Sequence, residues 1–152
     1  MIIKPLNTLD KIEGTSIFLA GSIEMDTAEK WQDKIANILT KRFTVLNPRR
    51  DDWDTSWIQE ISNKNFREQV EWELAAMDIA DFIIMYFDKN TKSPITLLEL
   101  GLYATSDKLV VCCPDGFWRK GNVDIVCKKH NIITLNTFQQ LITSCELLSI
   151  LN

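Results

Sequence analysis

A glutamate inside an apolar helical segment is the first residue that points to chemistry. Glu99 lies in a segment that helical spacing predicts to be a helix, Thr96 to Thr105, and its neighbours there are Leu97, Leu98, Leu100, Leu102 and Tyr103. A carboxylate in such surroundings is costly unless it is hydrogen-bonded or takes part in function. The sequence leaves both interpretations open, since a glutamate that caps a buried group would look the same.

Acidic residues also precede the most apolar run of the chain. Glu71, Glu73, Asp78 and Asp81 lie in or just after a predicted helix. Most are expected to be solvated side chains of the helix surface or capping residues. Glu73 or its neighbour Leu74 could face the carboxyl edge of the sheet, and the sequence does not decide which.

Two loops carry further candidate binding residues. Gly21 and Ser22 directly follow an apolar run, where a glycine allows close approach of backbone to a ligand, although no GxGxxG or GK[ST] pattern follows. In the second loop, Leu46 to Asp54, Asn47 could pair with a heterocycle edge. Trp53 or the nearby Trp57 could stack on a planar ring. The alternative for this loop is a solvated turn whose charges screen one another.

The elements that must position these residues alternate between short apolar strands and amphipathic helices. Such alternation predicts one α/β domain over residues 1–152, a three-layer sandwich with a five-stranded parallel, flavodoxin-like sheet. Ligands of such sheets bind at the carboxyl ends of the strands. The expected strands are Thr15–Ala20, Phe43–Leu46, Ala80–Phe87, Leu109–Cys113 and Ile132–Leu135. The expected helices are Ala28–Leu39 (capped by Asp26 or Thr27), Phe66–Met77, Thr96–Thr105, Val123–Lys129 and Phe138–Leu148.

Charge and hydropathy exclude several classes of function. Lys and Arg number 17 against 21 Asp and Glu, a net charge of −4 without a basic stripe, so nucleic acid is not an expected partner. No apolar run approaches the ~18 residues of a membrane span. The segment Met1 to Leu6 lacks the apolar core of a signal peptide. We therefore expect a cytoplasmic protein without membrane partners.

The cysteines do not form a recognisable metal motif. Cys112, Cys113, Cys127 and Cys145 include no CxxC pair, and His130 is the single histidine. Buried free thiols are the favoured interpretation, and neither a metal nor another cofactor is expected.

Taken together, four segments resemble the nucleoside 2-deoxyribosyltransferase family, in its divergent branch with an NPRR loop. They are FLAGSI (Phe18 to Ile23), LNPRRDDWD (Leu46 to Asp54), ELAAMDIADFIIMYFD (Glu73 to Asp88) and SPITLLELGLYA (Ser93 to Ala104). Each segment alone is weak, and their order along the chain makes the resemblance specific. It extends from about Ile17 to about Val123.

The resemblance implies a reaction and roles for two residues. Glu99 would be the nucleophile that attacks the anomeric carbon of a 2′-deoxynucleoside, giving a covalent deoxyribosyl-enzyme that a second nucleobase or water then resolves. Glu73, where the family usually carries Asp, would protonate the leaving base and deprotonate the incoming one. It further implies substrate contacts from Gly21, Ser22, Asn47, Arg49, Trp53, Asp88 and Ser93.

Two departures from the family bear on the substrate. Classical transferases carry Asp at the place of Ser93, whereas related deoxynucleoside-monophosphate N-glycosidases use a Ser there to bind the 5′-phosphate. Those glycosidases also carry basic residues after the Gly-Ser-Ile turn, where this chain has Glu24 and Asp26. Because carboxylates would repel a phosphate, the free nucleoside is favoured. The monophosphate remains the alternative, together with a non-catalytic nucleotide-binding module on the same scaffold.

The resemblance also implies that the protein is an oligomer with shared active sites. In the family an Asn of a neighbouring subunit completes the sugar site, and Asn122 is the matching candidate here. A homodimer or higher homo-oligomer is therefore expected. Phe117 and Trp118, next to it in sequence, fit either an interface or the core.

Overall fold

Every strand of the sheet runs parallel to its neighbours, in the order β1-β3-β2-β4-β5-β6. The structure, a computed structural model, describes residues 1–23, 30–50 and 52–151. The α/β prediction is confirmed, with one strand more than expected. The strands are β1 (Ile2–Ile3), β2 (Ser16–Gly21), β3 (Thr44–Leu46), β4 (Phe82–Tyr86), β5 (Leu109–Cys112) and β6 (Ile133–Leu135).

The additional strand, β1, lies at the edge of the sheet beside β3. Its two residues are too few to show a hydropathy period, so sequence reasoning did not find it. The other strands have the order β3-β2-β4-β5-β6, which is the flavodoxin-like arrangement. The chain leaves β2 toward β3 on one side and returns to β4 on the other. The carboxyl ends of β2 and β4 therefore form the switch point at which ligands of such folds bind.

Five α-helices lie in the described residues, one after each strand from β2 to β6, as the sequence predicted. They are α1 (Trp31–Leu39), α2 (Lys64–Ile79), α3 (Pro94–Tyr103), α4 (Lys120–Lys129) and α5 (Phe138–Ile150). The start of α2 is earlier than expected because the Asn63 side chain accepts the N–H of Phe66. The start of α3 is set by Pro94, which suits the first helical turn. The expected caps of α1, Asp26 and Thr27, lie outside the described residues.

Alternating strand residues build two cores, one on each face of the sheet. Phe18 and Ala20 of β2 pack in one core with side chains of α2, α3 and α4. Ile17 and Leu19 pack in the other with α1 and α5. Because Glu73 is on α2 and Glu99 on α3, both glutamates belong to the same face of the sheet.

The four cysteines are free and buried, which confirms the interpretation from sequence. Burial raises the pKa of each thiol. In the described part of the chain, no three His, Cys, Asp or Glu side chains are grouped so that they could hold a metal ion. Nor do the described helices include one that combines the length and apolar character of a membrane span.

Gly21, the last residue of β2, leaves no room for a side chain beside β4. Its φ of +142° belongs to a region that side chains rarely adopt, and it pairs with Tyr86 of β4. A Cβ built there would lie 2.3 Å from the Tyr86 carbonyl oxygen and 2.9 Å from Cζ2 of Trp31. A glycine is thus required here by packing against Tyr86 and Trp31. The expected contact of Gly21 with a ligand stays a prediction.

Gly21→Ala is therefore expected to destabilise the fold by about 3 kcal/mol or more, since it combines a backbone clash with an unfavourable φ. Gly101→Ala is the matched control. Gly101 lies inside α3 with open space at its Cβ position, so alanine should add about 0.5–1 kcal/mol of stability there. Urea unfolding of both variants measures this. Equal stability of Gly21→Ala and the wild type would contradict the described packing.

Candidate active site

A tyrosine joins the two helices that carry the candidate glutamates. The Tyr103 hydroxyl donates to Asp78 Oδ1 at 2.8 Å and to the Leu74 carbonyl at 3.3 Å. Tyr103 lies one helical turn after Glu99 on α3, and Leu74 directly follows Glu73 on α2. This contact fixes the relative position of the helices at the level of the two carboxyl groups.

Glu99 is buried on the inner side of α3, with 9% of its surface exposed. Burial raises the pKa of its carboxyl to about 8, and the charge of Glu73 contributes in the same direction. The sequence therefore located an unusual glutamate correctly, and the structure adds that a second carboxylate is its electrostatic neighbour.

Glu73 is partly buried, and its pKa is raised to about 7, chiefly by desolvation. The orientation of the Glu73 side chain, which the sequence did not decide, is thus toward the protein interior. Two carboxylates that repel each other in a desolvated space resist ionising together. Carboxyl groups that interact in this way titrate as a unit, so their apparent pKa values belong to the pair instead of to either residue.

Gln69 connects Glu73 to the loop that follows β3. Its Nε2 donates to Glu73 Oε1 at 2.7 Å and to the Pro48 carbonyl at 3.0 Å. Gln69 is 5% exposed and lies one helical turn before Glu73. The hydrogen bond favours the ionised form of Glu73, which lowers its pKa against the effect of burial.

Hydroxyl groups meet where β2 and β4 end. Ser22 Oγ contacts Ser93 Oγ, and Thr91 Oγ1 lies 3.0 Å from the former and 2.7 Å from the latter. The backbone N–H of Asp88 donates to Ser22 Oγ at 2.9 Å. All four residues are buried. Ser22, Asp88 and Ser93, which the sequence selected from separate segments, are therefore neighbours.

Asp88 also lines a groove at the carboxyl ends of β4, β5 and β6. Its Oδ1 accepts the N–H of Asn90 at 2.9 Å, which stabilises the turn after β4. The groove has a volume of about 390 Å³ and includes Tyr86 and Phe138, from the α5 side of the sheet. Glu73 and Glu99 do not line it, because they belong to the opposite side.

The first residues after β3 are buried and tied to the protein. Asn47 is fully buried, its Oδ1 accepts the N–H of Arg49 at 3.0 Å, and its Nδ2 approaches Asp33 Oδ1 at 3.4 Å. Arg49 is also buried, at 6% exposure. Here the Asn47 side chain shapes the turn, and its contact with a nucleobase stays a prediction.

Beyond Arg49, the described residues of the loop pack on one another. Trp53 and Trp57 stack edge to face with centroids 5.1 Å apart. The Arg50 guanidinium lies 4.9 Å from the Trp57 ring and forms a two-pronged contact with Asp52, at 2.9 and 2.7 Å. The pair of Arg50 and Asp52 agrees with the solvated-turn alternative, while the two tryptophans remain partly exposed.

The region around Asn122 lies on the surface. Asn122 is exposed in the first turn of α4. Phe117 is a core residue that packs on Phe87, with ring centroids 4.9 Å apart, so the interface interpretation is wrong for it. Trp118 is 46% exposed, and its ring lies between Lys92 and Arg119.

Three residues of the site were not predicted from the sequence as functional. They are Gln69, Thr91 and Tyr103, and each forms a hydrogen bond to a residue that the sequence analysis named. Helical spacing could have found Gln69, four residues before Glu73, and Tyr103, four after Glu99. Nothing in the sequence distinguishes Thr91 from an ordinary loop residue.

The family of the chain is indicated by comparison with protein-family models. A protein-family model described as "nucleoside 2-deoxyribosyltransferase like" matches residues 14–117, more than half of the chain. A search of curated proteins finds no match. The matched range contains the four segments on which the resemblance was based, together with Glu73 and Glu99.

The burial of Glu99 predicts a pH-dependent cost to stability. Its folded pKa of about 8 exceeds the ordinary value of 4.5, so the folded state binds more protons than the unfolded state between these values. The contribution of Glu99 to stability is then most favourable below pH 4.5 and is lost as the pH rises through 8. Glu99→Gln should remove this part of the decline, gaining about 3 kcal/mol on the wild type between pH 5 and pH 8.

Urea unfolding at several pH values between 5 and 8 measures the difference. Glu71→Gln is the matched control, because Glu71 lies on the exposed side of α2 and pairs loosely with Arg67, at 3.7 Å. That variant should keep the wild-type pH dependence. A Glu99→Gln variant with wild-type pH dependence would show that Glu99 is not a desolvated acid.

Proposed function

The chain belongs to the nucleoside 2-deoxyribosyltransferase-like family, and from this premise we propose that it cleaves the N-glycosidic bond of 2′-deoxynucleosides. The observation that carries the proposal is the pair Glu73 on α2 and Glu99 on α3. Both carboxyl groups are desolvated, and burial raises the pKa of each. Perturbed carboxyl groups that interact in this way are typical of acid–base and nucleophilic sites.

The proposed reaction has two displacements. The Glu99 carboxylate attacks C1′ of the sugar, and the bond from C1′ to the base nitrogen breaks with its electron pair going to the base. Glu73 gives its proton to the departing base, so the base leaves neutral while an ester joins the deoxyribose to Glu99. A second base attacks C1′, Glu99 is released, and Glu73 recovers the proton. Water in place of the second base gives free deoxyribose.

The proposed steps use one of the two arrangements of a single proton on the pair. Attack requires Glu99 ionised and Glu73 protonated, and because the pKa of Glu99, about 8, exceeds that of Glu73, about 7, this is the less populated arrangement. An unperturbed glutamate would be ionised at neutral pH and could not act as the acid. Burial raises the pKa of Glu73 to about 7, so part of this group keeps the proton that the leaving base needs at neutral pH.

Substrate contacts are proposed at the loops that end on this edge of the sheet. Gly21, Ser22, Asp88 and Ser93 would bind the sugar, since they follow β2 and β4 at the switch point. For the base, we propose Asn47, Arg49 and Trp53, from the loop after β3.

A free nucleoside is the proposed substrate, with the 5′-monophosphate as the second candidate. The Ser93 hydroxyl is buried and engaged with Ser22 and Thr91, which suits a neutral hydroxyl better than a phosphate dianion. Glu24 and Asp26, on which the charge argument from sequence rests, lie outside the described residues.

A homodimer or larger homo-oligomer is proposed to complete the site. Asn122 is exposed on α4, where it is available to a neighbouring copy. Its partner would contribute the equivalent side chain to this chain's sugar site.

Incubation of the protein with a deoxynucleoside and a different free base, followed by chromatography, tests the activity. A swapped nucleoside or a freed base is expected, and the products should disappear in Glu99→Ala because the nucleophile is gone. A parallel incubation with the 5′-monophosphate decides between the two substrate classes. Binding of ligand without any product, across several bases, would identify a non-catalytic module instead.

The pH dependence of kcat/KM tests the shared proton. It should be bell-shaped, falling below about pH 7 as the pair takes a second proton and above about pH 8 as it loses the first. Glu73→Gln should remove the alkaline limb, shift the acid limb to lower pH because a repelling charge is gone, and slow turnover about 10²–10⁴-fold. Glu71→Gln is again the control. An alkaline limb that persists in Glu73→Gln would assign it to another group.

A further inference from the structure

Gln69 is a polar residue at a buried position of α2 where its amide oxygen has no hydrogen-bond partner. Its side chain is 95% hidden from solvent, and Oε1 is buried without a hydrogen-bond partner. An unsatisfied buried acceptor costs about 1–3 kcal/mol, a cost that an apolar side chain of similar size would not carry. The hydrogen bonds of Nε2 are therefore the reason for an amide at this position.

The two acceptors of Gln69 Nε2 define which way the amide group points. The Pro48 carbonyl cannot donate, and an ionised Glu73 cannot donate either, so the nitrogen is the atom that faces them. The Pro48 carbonyl belongs to the turn that also buries Asn47 and Arg49. The amide is thus held by the loop after β3 at one contact and holds Glu73 at the other.

This contact distinguishes the two oxygens of Glu73. Oε1 accepts the Gln69 N–H at 2.7 Å, so a proton on Oε1 would meet a donor and is disfavoured. The proton of the acid form is consequently placed on Oε2.

We propose that Gln69 is a positioning residue for the proposed reaction, whose amide fixes Glu73 Oε1 so that Oε2 exchanges the proton with the nucleobase. The proposal rests on the proposed function, to which it adds the oxygen that acts and the residue that selects it. It also connects the loop after β3 to the acid, because movement of Pro48 would move Gln69 and with it Glu73.

The other charged and titratable groups around Glu73 are few among the described residues. Glu99 faces it from α3 and Arg49 follows Pro48 in the loop after β3, while Tyr103 and Asp78 pair with each other farther along the helices. On α2 itself the pairs Lys64–Glu68 and Arg67–Glu71 lie on the exposed side. Gln69 is the hydrogen-bond donor to the Glu73 carboxyl group that the structure shows.

Gln69→Leu tests the proposal through the pH profile of kcat/KM. Loss of the donor should move the alkaline limb up by about one pH unit, since one hydrogen bond to a carboxylate is worth about that much. Loss of orientation should lower kcat at the optimum about tenfold or more, with a smaller effect on KM. A lower rate with an unmoved alkaline limb would show a merely structural role and overturn the proposal.

Gln32→Leu is the matched control. Gln32 is a fully buried glutamine on α1, across the sheet from the glutamates, and both polar atoms of its amide lack hydrogen-bond partners. Its replacement makes the same change of side chain without touching Glu73, so the pH profile should not move. A shift as large as that of Gln69→Leu would overturn the proposal.

A titration without turnover separates this inference from the proposed function. Carboxyl ¹³C NMR of the intact protein should show Glu73 titrating about one pH unit higher in Gln69→Leu than in the wild type, whether or not any nucleoside is cleaved. Equal titration in both proteins would overturn the role of Gln69 even in an active enzyme. If Gln69→Leu does not fold, Gln69→Met preserves an unbranched side chain and takes its place, with the same two outcomes.

Discussion

Repulsion between two carboxylates in a desolvated space is the constraint on which the rest of the site depends. Glu73 and Glu99 could each find water if the helices carrying them turned outward, yet both face the interior. Such an arrangement costs folding free energy and is retained where it has a use. The use proposed here is to keep one proton available at neutral pH between a nucleophile and an acid.

The fold maintains this costly arrangement by fixing the two helices from several directions. Tyr103 joins α3 to α2, and Gly21 allows β2 and β4 to approach at the switch point. The hydroxyl cluster of Ser22, Thr91 and Ser93 holds the start of α3 against the end of β2. Together these contacts join helix to helix, strand to strand and strand end to helix, so the helices that carry the carboxyl groups are held against the sheet.

Hydropathy patterns predicted the sheet and its helices because long apolar runs and helical periods are local signals. They could not reveal β1, whose two residues pair with a distant strand. For the site, Glu99 was detectable because an acid among leucines is anomalous in any fold. The inward turn of Glu73, the core position of Phe117 and the structural use of the Asn47 amide depend on contacts between distant segments, which no local pattern encodes.

The covalent bond to Glu99 is the central claim of the proposed function, and mass spectrometry tests it most directly. Wild-type protein is mixed with a deoxynucleoside in the absence of an acceptor base, quenched with acid during turnover, digested and sequenced by fragmentation. A deoxyribosyl adduct is expected on the peptide that contains Glu99, localised to that side chain. Turnover accompanied by an adduct on a different residue would contradict it.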